Sequence, residues 1–90
     1  MEVMFPPGQV VATPGALSLL EQHDLEAATF LLRHLGGDWG DVCKQDSKIN
    51  DDALKDGNRI LSSYPINKKK LWIITEADRS VTTLLLPEEY

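Results

Sequence analysis

Cys43, His23 and His34 are the side chains of this sequence best suited to nucleophilic or metal chemistry, and Asp38 and Asp41 are the carboxylates that fall between His34 and Cys43. Zinc needs three or four converging ligands, commonly in tight pairs a few residues apart. His23, His34 and Cys43, even with Asp38 or Asp41, show no such spacing, so no metal site is expected. A catalytic cysteine wants a lowered pKa, often at a helix N-terminus beside a base. Cys43 falls in the first turns of a predicted helix, with His34 as the candidate base. It also falls on an apolar stripe with Trp39 and Ile49, which predicts a thiol that fills core volume. The histidines, one near a helix start and one at a helix end, read as capping or surface groups.

The carboxylates Asp38, Asp41, Asp46, Asp51 and Asp52 could hold Mg²⁺ or work as an acid and base pair. Adjacent Asp51 and Asp52 diverge on a helix and make poor co-ligands. Asp38 and Asp41 sit where negative charge favours a helix N-terminus, so capping explains them. A small metal-dependent hydrolase or nuclease using Asp38, Asp41 and His34 is the alternative function. The turn Glu76-Ala77-Asp78-Arg79 puts three charges between two apolar runs. Arg79 can pair there with Glu76 or Asp78, a surface pairing worth under about 1 kcal/mol, or be held for an acidic group of a partner. Trp39, between glycine-containing segments, reads as a core anchor, or as a binding hot spot if exposed. There is no phosphate-cradling glycine loop, HExxH, GxSxG or CxxC, and no catalytic residue or cofactor is assigned.

These residues belong to a chain of 90, with 14 acidic and 9 basic side chains and a net charge of −5. Segments 1–37, 38–56 and 76–90 are each net −3, whereas 57–75 holds four bases and no acid. A nucleic-acid binder would carry an excess of base. The one basic cluster, Lys68-Lys69-Lys70, reads as a solvated hairpin tip, so direct nucleic-acid binding is not expected. Hydrophobic residues make up 42%, enough for one globular core. A single domain over 1–90 is expected, with 1–8 as a loose lead-in around Pro6-Pro7-Gly8. No apolar run approaches the roughly 20 residues of a membrane helix, and MEVMFPPGQV lacks the basic and apolar regions of a secretory signal. The single cysteine fits a reducing compartment, and a cytoplasmic location is expected.

Gln9–Ala12 reads as a short strand. Thr13-Pro14 opens a first helix, because threonine caps and proline suits the first helical position. Asp24 is the expected cap of a second helix, with Leu25, Ala28, Leu31, Leu32 and Leu35 on its apolar face and Gly36-Gly37 at its end. Asp38 is the expected cap of a third, running to about Asp56 with Gly57 as its stop and with Trp39, Val42, Cys43, Ile49, Ala53 and Leu54 on one face; Gly40 and Asp46-Ser47 could divide it. Beyond Asn58 the pattern turns strand-like: Arg59–Tyr64, a turn at Pro65–Lys68, Leu71–Thr75, the 76–79 reversal, and Ser80–Leu86 stopped by Pro87. The predicted class is α+β, with a short N-terminal strand and two to four helices packed on one face of a C-terminal three-stranded antiparallel meander.

Across nearly the whole chain the motifs resemble a group of small bacterial proteins found on plasmids and integrated mobile elements, often labelled plasmid-related or restriction-associated. The resemblance rests on Val11-Ala12-Thr13-Pro14-Gly15-Ala16-Leu17, Arg33-His34, Gly37-Asp38-Trp39-Gly40-Asp41, Asn50-Asp51, Ala53-Leu54, Trp72–Ser80, Thr82-Thr83 and Leu85–Tyr90. It implies a bacterial cytoplasmic setting and an accessory role in mobile-element biology, and it supplies no catalytic residue. The expected function is a non-enzymatic, acidic interaction protein that binds a host macromolecular complex, such as a nucleic-acid-binding defence complex. Its binding residues would be Asp38, Trp39, Asp41, Glu76, Asp78 and Arg79. A homodimer joined along an exposed strand, Arg59–Tyr64 or Ser80–Leu86, is a further expectation.

Overall fold

The computed structural model describes residues 3–90. Strand β1 (Gln9–Ala12) leads into helix α1 (Pro14–Gln22), then α2 (Ala27–Leu35) and α3 (Lys44–Asp56). Strands β2 (Ile60–Ile66), β3 (Lys69–Thr75) and β4 (Val81–Leu85) follow, and a short 3₁₀ turn spans Pro87–Glu89. The class is α+β, as the block of helices before a block of strands predicts. The meander β2-β3-β4 is antiparallel, but the sheet has four strands, not three. β1 joins it parallel to β4, giving the order β1-β4-β3-β2. Helical structure is also not confined to the N-terminal part, since the 3₁₀ turn closes the C-terminal end.

Period-2 alternation sorts the strands into two faces. Ile60, Ser62, Tyr64, Leu71, Ile73, Thr75, Thr82 and Leu84 are all buried, and the register aligns them on one side of the sheet. The main apolar cluster joins Ala16, Leu19 and Leu20 of α1 and Phe30 of α2 to Tyr64, Leu71, Ile73 and Leu84. A second gathers Phe5, Leu35, Trp39, Ala53 and Ile60. Phe5 therefore contradicts a loose lead-in over 3–8, for it is buried, the Met4 N–H donates to Leu35 O, and Pro7 O accepts from Thr82. Met1 and Glu2 lie outside the described residues.

Thr13 caps α1 as its sequence predicts, its hydroxyl accepting from the Ala16 N–H. The later helix starts differ. Asp24 sits in a left-handed turn, φ 53°, and α2 begins at Ala27. Its buried residues are Phe30, His34 and Leu35, whereas Leu25 and Leu32 are exposed. The stripe is rotated because His34 counts as an inward residue. Asp38 does not cap α3, which starts at Lys44 with Cys43 as its N-cap. Residues 38–43 are a loop because Gly40, at φ 75°, bridges the outer edge of β2 at Ser63. The Ser63 N–H donates to Trp39 O, and the Asp41 N–H to Ser63 O. Two residues before Ser63, at the start of β2, Asn50 of α3 clamps Leu61: its amide donates to Leu61 O (2.7 Å) and accepts from Leu61 N (3.2 Å). The β2 edge, and Ser80–Leu86 inside the sheet, are thus unavailable for strand pairing. Among the described residues the remaining open edge is β1.

Candidate functional site

His34 stands at the centre of the molecule, not at its surface. It is the penultimate residue of α2, and the helix face that buries Phe30 also buries its ring completely. Nδ1 lies 2.6 Å from Ser62 Oγ and Nε2 lies 2.9 Å from Thr75 Oγ1. Thr75 Oγ1 is 2.7 Å from Thr82 Oγ1, and the Thr82 hydroxyl donates to Pro7 O at 2.7 Å. One hydroxyl carries one proton, so the whole chain has a single sense. Thr82 donates to the carbonyl and therefore accepts from Thr75, which accepts from His34 Nε2–H. Nδ1 then accepts from Ser62. This fixes the neutral Nε2–H tautomer. Burial, with the Arg79 cation as a lesser cause, lowers the His34 pKa to about 4. The edges of Phe5 and Trp39 cover the ring, at centroid distances of 5.3 and 6.0 Å. A fully buried imidazole paired with hydroxyls has the geometry of a dyad but no access for a substrate, and what it does is hold α2 to the strands and to Pro7.

The carboxylates proposed to work with His34 point elsewhere. Asp38 is ion-paired with Arg33 at 2.7 Å, and that hydrogen bond holds its carboxyl below the usual carboxylate range. Its backbone carbonyl accepts from the Tyr64 hydroxyl at 2.6 Å, while burial pushes the Tyr64 pKa up to about 12. Arg33 also stacks 4.6 Å from the Tyr64 ring centre. Asp41 pairs with Lys70 at 3.3 Å, and both are well exposed. Cys43 is exposed, contrary to a core thiol, and its Sγ accepts weakly from the Asp46 N–H at 3.5 Å. It opens on a surface recess of about 310 Å³ between Asp41, Asp46, Lys70 and Trp72, also lined by Ser63, whose buried hydroxyl has no hydrogen-bond partner among the described residues. His34, expected as its base, is buried instead between Ser62 and Thr75. Among the described residues, no three His, Cys, Asp or Glu side chains are grouped to hold a metal ion.

Trp39 is a core anchor, 4% exposed, with its indole N–H donated to Asp51 at 2.9 Å. The predicted pairing of Arg79 with Glu76 or Asp78 is replaced by bonds to carbonyls. Its guanidinium donates to Asn58 O (2.7 Å), Glu76 O (3.1 Å) and Ala53 O (2.9 Å), and lies 5.5 Å from the Phe5 ring centre. Arg79 adopts φ 60°, a left-handed conformation that turns its side chain back over α3. Asp78 instead accepts from the Ser80 N–H and hydroxyl, which lowers its pKa. The six expected binding residues thus fall into two groups. Asp38, Trp39 and Asp41 lie along the β2 edge at Ser63. Glu76, Asp78 and Arg79 lie beyond Thr75, which pairs with Ile60, three positions or roughly 10 Å along that strand. The Arg79 clip sets the 76–79 turn against the end of α3, so exposed Asp56, Glu76 and Asp78 share one end of the molecule. Among the described residues none of those three has a salt bridge.

Comparison with family models, curated proteins and solved structures gives no match. No helix among the described residues is long and apolar enough to cross a membrane.

Proposed function

We propose that this chain is a non-enzymatic, acidic interaction protein of the bacterial cytoplasm, an accessory of mobile-element biology that binds a host macromolecular complex. The carrying observation is the acidic end made by Asp56, Glu76 and Asp78, which Arg79 assembles while directing its own donors to carbonyls. Exposed carboxylates that form no salt bridge among the described residues attract a basic surface over about a Debye length, which speeds association and makes it salt-sensitive. The chemistry of the occupant follows: a basic protein face, such as the nucleic-acid channel of a defence complex. Asp38 and Asp41 contribute less, being matched locally by Arg33 and Lys70.

The test is capture from a bacterial lysate by the immobilised chain and by a variant with Asp56→Asn, Glu76→Gln and Asp78→Asn. The expected result is a defined protein retained by the wild type at low salt, lost from the variant, and released at roughly 0.5 M salt, where charges are screened within a few ångströms. No partner at low salt, or capture indifferent to the three substitutions, overturns the reading.

A further inference from the structure

The two edges of the sheet are treated differently. The β2 edge is sealed by the Asn50 amide at Leu61 and by the backbone of 39–41 at Ser63, and it carries Pro65. Natural sheets blunt their edges in such ways because an open row of N–H and C=O groups invites another strand. β1, Gln9-Val10-Val11-Ala12, has none of them: no charge, no proline and, among the described residues, no strand on its outer side. Its ladder to β4 fixes which groups are free. The Gln9 N–H donates to Ser80 O and the Thr13 N–H to Leu84 O, so Gln9, Val11 and Thr13 point their backbone groups inward. By the alternation of a parallel ladder, the N–H and C=O of Val10 and Ala12 point outward. Val10 and Val11 are 44% and 38% exposed.

We propose that β1 is a self-association edge, pairing antiparallel with β1 of a second copy about a two-fold axis at Val11. In that register Val11 lies opposite its own symmetry mate, Val10 lies opposite Ala12, and about four backbone hydrogen bonds satisfy every outward group of both strands. The occupant follows from chemistry. The strand is uncharged, so it offers nothing to a basic partner, and its apolar side chains meet themselves without apposing like charges. β-branched residues pair well across strands. Pro7 and Pro14 bracket the segment and keep the new ladder short, and because the two-fold axis uses both β1 edges while β2 is sealed, the pairing closes at one dimer. The sheet becomes eight-stranded and continuous. Because each copy carries −5, long-range repulsion opposes the dimer at low salt, so salt strengthens it, the opposite of a charge-driven partner.

The experiment is sedimentation equilibrium, with amide exchange followed by NMR. At about 1 mM chain, where even a weak interface populates its complex, the mass should double. The Val10 and Ala12 amides should become protected with rising concentration, while Val11 and Thr13 stay protected throughout. Val11→Lys, at a half-exposed position, should remain folded by circular dichroism and stay monomeric, while Val11→Thr should still dimerise. A monomer at that concentration in roughly 0.5 M salt, a dimer that tolerates Val11→Lys, or Val10 and Ala12 amides that exchange freely in the dimer would each overturn the proposal.

Discussion

His34 ties the chemistry of one imidazole to the stability of the fold. In the unfolded chain it takes up a proton below about pH 6.5; in the folded chain it resists until about pH 4. Between those values unfolding binds a proton, so stability is full above about 6.5 and falls as the pH drops towards 4. The loss at the lower end is about 3 kcal/mol for a shift from 6.5 to about 4. Urea unfolding from pH 7.5 to 4.5 should show that decline, and His34→Gln, less stable at neutral pH, should flatten it. The signal for this network lay in the strands. Thr75 and Thr82 fall at the inward parity of apolar runs, where a polar residue needs a partner. Reading histidine as a surface type hid that partner.

Among the elements, the third helix was the least legible. Composition alone makes 38–56 look continuous, since Gly40 costs a helix only about 1 kcal/mol. What divides it is non-local: Gly40 takes φ 75° to bring its backbone onto Ser63, and a Cβ there would strike Ser63 O and the Tyr64 ring. The strands were legible because β-branched and aromatic runs leave few alternatives, although the turn expected over Pro65–Lys68 narrows to Asn67-Lys68, with Pro65 and Ile66 inside β2 and β3 starting at Lys69. The parallel pairing of β1 was not, because nothing in four residues names a partner seventy positions away. The Asn50 clamp likewise depends on how α3 lies across β2. Asn50→Ala removes both of its bonds to Leu61, and a loss of about 2 kcal/mol in denaturant unfolding is expected, with the 39–41 bridge retained.

At the scale of the molecule, Arg79 couples the two halves of the chain. It joins the β3–β4 turn to the last turn of α3 and stacks near Phe5 of the N-terminal segment. Arg79→Gln should lower stability by about 2 kcal/mol. In native-state hydrogen exchange, amides near 53–59 and 76–80 should open together at lower free energy while the centre of β3 keeps its protection. The same variant should blunt lysate capture, because the carboxylates would no longer be held at one end.

The parallel seat of β1 against β4 has a consequence for biosynthesis. Val81–Leu85 are made some seventy residues after Gln9–Ala12, so β1 must wait unpaired until they have emerged. The nascent protein therefore meets the cell with an uncharged strand bare, and any shortened product that stops before Val81 keeps it so.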